Sequence, residues 1–214
     1  MALAIVLATA GCLGARPPGG GLTADEHNDL GVAYFERGET RRAAQEFQRA
    51  LDVRPDWARA LVNLGDARLA LGEVAGAIEA YRRAVAIAPE DPGAANNLAW
   101  ALLQDPVRWP EAEPVIRETL ARQPEPRGYY LDTLGALLLR KGDGRAALDA
   151  FRAALGDPGL ADTRARALVL DHAAEAHARL GDGDAEARCR RLAAALRSGG
   201  AGGPSLVGGH EAVC

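Results

Sequence analysis

Two stretches of this chain repeat one another at a spacing of 34 residues. Leu30, Gly31, Tyr34, Gly38, Ala43, Phe47, Ala50 and Pro55 are followed by Leu64, Gly65, Arg68, Gly72, Ala77, Tyr81, Ala84 and Pro89. Only the Tyr34/Arg68 pair changes residue class. A period of this length confines the chain to stacked copies of one supersecondary unit. No single copy buries its own apolar face, so neighbours must cover it.

The residue types explain the unit. Leu30, Gly31 and Tyr34 share one face of a first helix, and Gly31 lets another helix approach closely there. Gly38 ends that helix, because glycine accepts the left-handed conformation beyond a helix C-terminus. A second helix turns Ala43, Phe47, Ala50 and Leu51 inward, and Pro55 with the restricted Arg54 before it stops that helix. The array continues at Leu98 and Ala99, then slips by one residue at Ala112, Ile116 and Pro124. The stretch 105–110 is therefore a longer turn. Pro110 suits a helix start, whereas Pro114 in a helix interior would cost about 3 kcal/mol. The helix after this turn is expected to begin between Glu111 and Glu113. A fourth unit is marked by Leu134, Gly135, Leu138, Gly142, Ala147, Phe151 and Ala154. A fifth pair is expected over Asp162–Leu180 and Asp184–Leu196, with mostly Ala and Arg at the signature positions, as suits a capping unit.

This pattern resembles the tetratricopeptide repeat, most closely over 24–91, well over 92–157 and loosely over 162–197. The resemblance implies an all-α, right-handed superhelical solenoid of antiparallel helix pairs. Its repeats are expected at about 24–57, 58–91, 92–127 and 128–161, with a degenerate pair at 162–197. It also implies a surface that binds an extended peptide or helix in a concave groove, rather than a catalyst. The family's groove positions fall here in four rows. The first is Asn28, Val62, Asn96 and Asp132; the second is Asp29, Asn63, Asn97 and Thr133. The third is Val32, Asp66, Trp100 and Ala136; the fourth is Phe35, Leu69, Leu103 and Leu139. Amide side chains in such rows grip a peptide backbone through donor and acceptor together. Trp100 and Phe35 offer anchors for an apolar side chain. The competing reading is that some of these side chains pack against the next helix. Family members that hold chaperone C-terminal carboxylates use Lys or Arg in the groove. The matching positions here are Asn28, Val32, Asn63, Gly93 and Asn97, so an anionic tail has no charge partner at them.

The beginning of the chain carries a different signal. An apolar run from Ala2 to Ala8 is followed by Thr9, Ala10, Gly11 and Cys12. This resembles a bacterial lipoprotein signal (residues 1–12), with Cys12 as the lipidated residue. It departs from that pattern at Thr9 and in having no Lys or Arg before the run. The alternative is an apolar N-terminus on a soluble cytosolic repeat scaffold in a regulatory or secretion pathway. The run is too short to span a bilayer. Residues 13–23, with Pro17, Pro18 and three consecutive glycines, have linker composition. The segment 198–214 is rich in glycine and is expected to be disordered. An anchored repeat domain facing the periplasm is implied, with Leu13 after the cysteine suggesting the outer membrane. In architecture this resembles the repeat lipoproteins that assist envelope assemblies such as pilus secretins.

Composition narrows the chemistry. The net charge is −4, with a single lysine, Lys141, so nothing favours a nucleic-acid backbone. No phosphate-binding loop, nucleophile elbow, zincin or dinucleotide motif occurs, and no cofactor is expected. His172 and Glu175 lie three apart and share a helix face, but they are expected to be a chance surface cluster rather than a metal site. His27 is expected at the core or rim. Cys189 is expected as a small, partly buried side chain; a disulfide to Cys214 is open to it in an oxidising compartment.

Overall fold

The computed structural model describes residues 21–198 and 213–214. Cys12, the signal-like segment, the linker as far as Gly20, and residues 199–212 lie outside the described residues. Among the described residues the chain forms ten α-helices and one short 3-10 turn. The helices pair in sequence order. The pairs are α1 (Ala24–Glu36) with α2 (Thr40–Val53), α3 (Ala58–Ala70) with α4 (Val74–Ile87), and α5 (Pro92–Gln104) with α6 (Ala112–Ala121). They continue with α7 (Gly128–Arg140) and α8 (Gly144–Gly156), then α9 (Thr163–Leu180) and α10 (Gly183–Ser198). None of these helices is long and apolar enough to cross a membrane.

Local chemistry sets the helix ends. Thr23 caps α1 in a reciprocal box with Glu26, and Asp91, Asp143 and Asp162 accept from backbone amides at the starts of α5, α8 and α9. Gly38, Gly72, Gly142 and Gly181 follow α1, α3, α7 and α9 with φ between 76° and 88°. The third unit lacks such a glycine. There Asp105 turns the chain, its carboxylate accepting from the Val107 and Arg108 amides at 2.9 and 2.8 Å and from the Arg108 guanidinium. The Arg108 amide and side chain, helped by the Val107 amide, hold its carboxyl at a pKa of about 2. The 3-10 turn Trp109–Glu111 then leads into α6, which begins at Ala112. Pro114 thus stands in the first turn, where its missing N–H costs little.

Within a unit the two helices cross on a glycine. A Cβ on Gly31 would lie 2.5 Å from the Phe47 ring, and one on Gly65 would lie 2.5 Å from the Tyr81 ring. Gly135 stands in the same relation to Phe151. The third unit carries Ala99 and Ile116 at these positions, both fully buried. A methyl group is present where a ring is absent, so the crossing keeps its volume.

Between units the contacts are asymmetric. Each odd-numbered helix touches the next odd one, whereas the even-numbered helices do not touch each other. The odd helices therefore form the inner, concave layer of a curved stack, and the even helices form the convex layer.

The last pair differs from the reading of the sequence. Cys189 is fully buried and is bonded to Cys214, with their Cα atoms 5.0 Å apart. The expectation of an unpaired Cys189 is therefore corrected, and so is that of disorder as far as it concerned residues 213 and 214. Val213 is 5% exposed among side chains of α7 to α10, including Leu139, Phe151, Ala173 and Ala176. Its carbonyl meets His177 Nε2 at 3.1 Å, and Arg188 Nε donates to the Cys214 carbonyl at 2.5 Å.

Candidate binding groove

The concave layer is laced by a polar rung that recurs from unit to unit. Asn63 Nδ2 donates to Asn28 Oδ1 at 2.8 Å, joining α3 to α1. His172 Nδ1 meets Asp132 Oδ1 at 2.8 Å, joining α9 to α7. These are the same rung. Asn63 and His172 each stand nine residues before their glycine turn, and Asn28 and Asp132 each stand ten before theirs. Where the first row supplies Val62, no acceptor exists, and Asn97 Nδ2 reaches Asp66 Oδ1 at 3.3 Å instead. Tyr81 donates to the same oxygen at 2.6 Å. Burial raises the Asp66 pKa, and the Tyr81 hydroxyl partly opposes this. In the next unit the donor position is Thr133, which turns its hydroxyl back to the Tyr129 carbonyl at 3.3 Å. Asn96 Oδ1 is left buried with no partner among the described residues.

A second rung runs along the helix ends. Arg140 donates to the carbonyls of Leu103 and Asp105, and Arg179 donates to the Leu139 carbonyl at 2.8 Å. Each arginine stands two residues before its glycine turn and places positive charge on the C-terminal end of the preceding inner helix. Arg179 also pairs with Glu175 at 2.5 Å, and Arg140 lies over the Trp109 ring.

These rungs frame a cleft between α5, α7 and α9 of about 450 Å³. Trp100, Leu103, Gln104, Ala136, Leu139 and Arg140 line it on α5 and α7, and His172, Glu175 and Arg179 line it on α9. The Trp100 and His172 ring centroids are 5.5 Å apart, and His172 also lies 5.9 Å from Phe151. Burial alone would depress the His172 pKa, but the hydrogen bond and charge of Asp132, with the charge of Glu175, outweigh it, and the pKa is raised.

The candidate groove residues divide accordingly. Asn28, Asp132, Thr133 and Leu103 are buried. Val62, Asn63, Asp66, Asn96, Asn97 and Trp100 are half-buried, while Asp29, Val32 and Phe35 on α1 are exposed. The amides of Asn63 and Asn97 are engaged inside the solenoid, so the cleft's open surface is Trp100 with the residues around it. His172 is not part of a chance surface cluster but a wall of the cleft. Sequence reasoning missed His172 and Arg179 because the groove rows ended at the fourth unit, and Arg140 because it stands at the end of α7, one position past Leu139 in the last row. Alignment on Gly142 and Gly181 extends them to the fifth. His27 meets Glu46 at 2.7 Å at the rim of the first pair.

The tetratricopeptide-repeat family profile matches residues 28–92. The TPR repeat-containing protein PA0015 of Pseudomonas aeruginosa is 37% identical over 59 residues, which are 28% of this chain and 56% of that protein. The chain thus spans little more than half the length of that curated relative. Among solved structures, the crystal structure of Cut9–Hcn1, an APC/C hetero-tetramer, superposes with a TM-score of 0.70 at 18% identity, over 83% of this chain and 34% of that one. MamA of Desulfovibrio magneticus RS-1 gives 0.62 at 16% identity, over 84% and 97%. TTC0263, a thermophilic TPR protein of Thermus thermophilus, gives 0.58 at 24% identity, over 82% and 99%. Residues 28–92 match the tetratricopeptide repeat, and the helix pairs among the described residues share the fold of these solved structures. Proteins of this class are interaction scaffolds.

Proposed function

We propose that the chain is an adaptor that holds a segment of another protein in the cleft between α5, α7 and α9, and that it works in a bacterial envelope. The cleft carries this reading. It has an aromatic floor at Trp100, apolar sides at Leu103 and Leu139, and a polar rim at His172, Glu175 and Arg179. An apolar anchor flanked by hydrogen-bonding groups is the composition of an interface hot spot.

The envelope assignment is supported by two features. The segment before Cys12 resembles a lipoprotein signal. The Cys189–Cys214 disulfide suits an oxidising compartment, because cytosolic thiols are kept reduced. Expression from the native start with labelled palmitate tests the assignment. Label is expected on wild-type protein in the membrane fraction, and Cys12→Ser is expected to be unlabelled and released. Unlabelled wild-type protein in the soluble fraction would overturn it. Crosslinking in intact envelopes, followed by mapping of the crosslinked residues, tests the cleft separately; adducts confined to the convex helices would move the binding surface.

A further inference from the structure

We propose that the Cys189–Cys214 disulfide is a redox-dependent staple that holds α9 in place as the wall of the binding cleft. The last pair needs such a device. Helices α1 to α8 are each covered by a following unit, but α9 and α10 are the final pair among the described residues. Their signature positions carry alanines, such as Ala173, Ala174, Ala176, Ala185 and Ala193, which bury little area per residue. Val213 and Cys214 supply part of the missing cover. Val213 enters the core cluster that contains Ala173, Ala176 and Cys189, and Cys214 packs against the one formed by Ala167, Leu170 and Ala193. His177 on α9 and Arg188 on α10 each hold one of their carbonyls, so the staple grips both helices.

The link to the cleft is direct. His172, Glu175 and Arg179 all belong to α9, on the turns beside His177. Two backbone hydrogen-bond contacts with residues 213 and 214 are weak without the covalent bond, because closing a loop of separation 25 costs chain entropy that the disulfide removes from the unfolded and detached states. Reduction therefore frees residues 213 and 214, uncovers the α9–α10 seam and loosens the helix that carries His172, Glu175 and Arg179.

The chemistry balances by thiol–disulfide exchange. A dithiol reductant passes two electrons and its two S–H protons to the protein disulfide, giving two protein thiols and the reductant's own disulfide. The staple forms by the reverse exchange with a disulfide oxidant. The proposal rests on the envelope reading only for where the bond forms, not for what the bond does.

The test uses the full chain isolated from an oxidising compartment. Peptide mapping without reduction is expected to join the peptides bearing Cys189 and Cys214 within one molecule. Hydrogen exchange is then compared for the oxidised protein, the protein reduced by a dithiol, and Cys214→Ser. Exchange across 163–198 is expected to quicken about tenfold or more in the reduced protein and in Cys214→Ser, with 24–121 unchanged. Cys214 is only partly buried, so this variant keeps the helix core intact. Free thiols at both positions in the isolated protein would overturn the proposal, as would a bond between copies. An intact bond whose reduction leaves exchange in α9 unchanged would also overturn it, whatever palmitate labelling shows.

Discussion

His172 and Asp132 tie the last unit to the fourth at 2.8 Å, in the place where Asn63 and Asn28 tie the second unit to the first. One tie titrates and the other does not. The His172 pKa is raised in the fold from its ordinary 6.5. A raised basic pKa means that the folded state holds the proton more tightly than the unfolded chain. The resulting stability is fully present below about pH 6.5 and is lost as pH rises through the folded value. His172→Gln is therefore expected to narrow the gap in stability between pH 6 and pH 8. Urea unfolding of both proteins at the two pH values checks this; an equal loss at both would mean that the imidazole acts only through packing.

The glycine crossings predict a compensated pair. Gly31→Ala should cost about 1–3 kcal/mol, because the new methyl meets the Phe47 ring. Phe47→Ile alone should also destabilise, by leaving a void. Together they reproduce the Ala99 and Ile116 combination of the third unit. A double-mutant cycle by thermal unfolding should give a favourable coupling of at least about 0.5 kcal/mol. Strict additivity would show that the third unit adapts by some other route.

Asp66 offers a charge that the fold does not need. Tyr81 and Asn97 both donate to its Oδ1, an atom that Asn also possesses. Burial disfavours the ionised carboxylate. Asp66→Asn should change stability at pH 7 by less than about 1 kcal/mol, while Asp66→Ala should cost about 1–3 kcal/mol by orphaning the Tyr81 hydroxyl. Equal losses in denaturant titrations would mean that the charge itself is required.

Trp100 is the test residue for the cleft. Peptides selected on the wild-type protein should lose about 2 kcal/mol or more of affinity on Trp100→Ala. Arg152, which pairs with Asp149 on the exposed face of α8, is the control, and its alanine variant should bind as wild type. Calorimetric titration of all three proteins, each verified as folded, makes the comparison. Unchanged affinity for Trp100→Ala would place the peptide elsewhere.

The fold was legible because its signals are local. Gly38, Gly72 and Pro55 act through their own backbone, and Phe47 faces a glycine at a fixed offset. Pro114 even limited where α6 could begin. The groove was less legible because it depends on which side chain reaches which across a seam. Asn63 reads as a free amide until Asn28 is seen opposite it. The spacing of 39 residues from Gly142 to Gly181, against 34 from Gly38 to Gly72, hid His172 from its row. The staple was least legible, since only folding brings Cys214 against a cysteine in the middle of a helix.

The division between crossings and rungs bears on how such a chain can be recombined. Each glycine and its ring lie inside one unit, so a unit travels with its own helix crossing. The rungs belong to no unit: Asn28 has meaning only with Asn63 after it, and Asp132 only with His172. Exchanging or duplicating units would keep each glycine crossing and yet mismatch the junctions; the first unit placed after the fourth, for example, would set Asp29 opposite Asp132. The crossings are interchangeable parts, and the order of assembly is written at the joints.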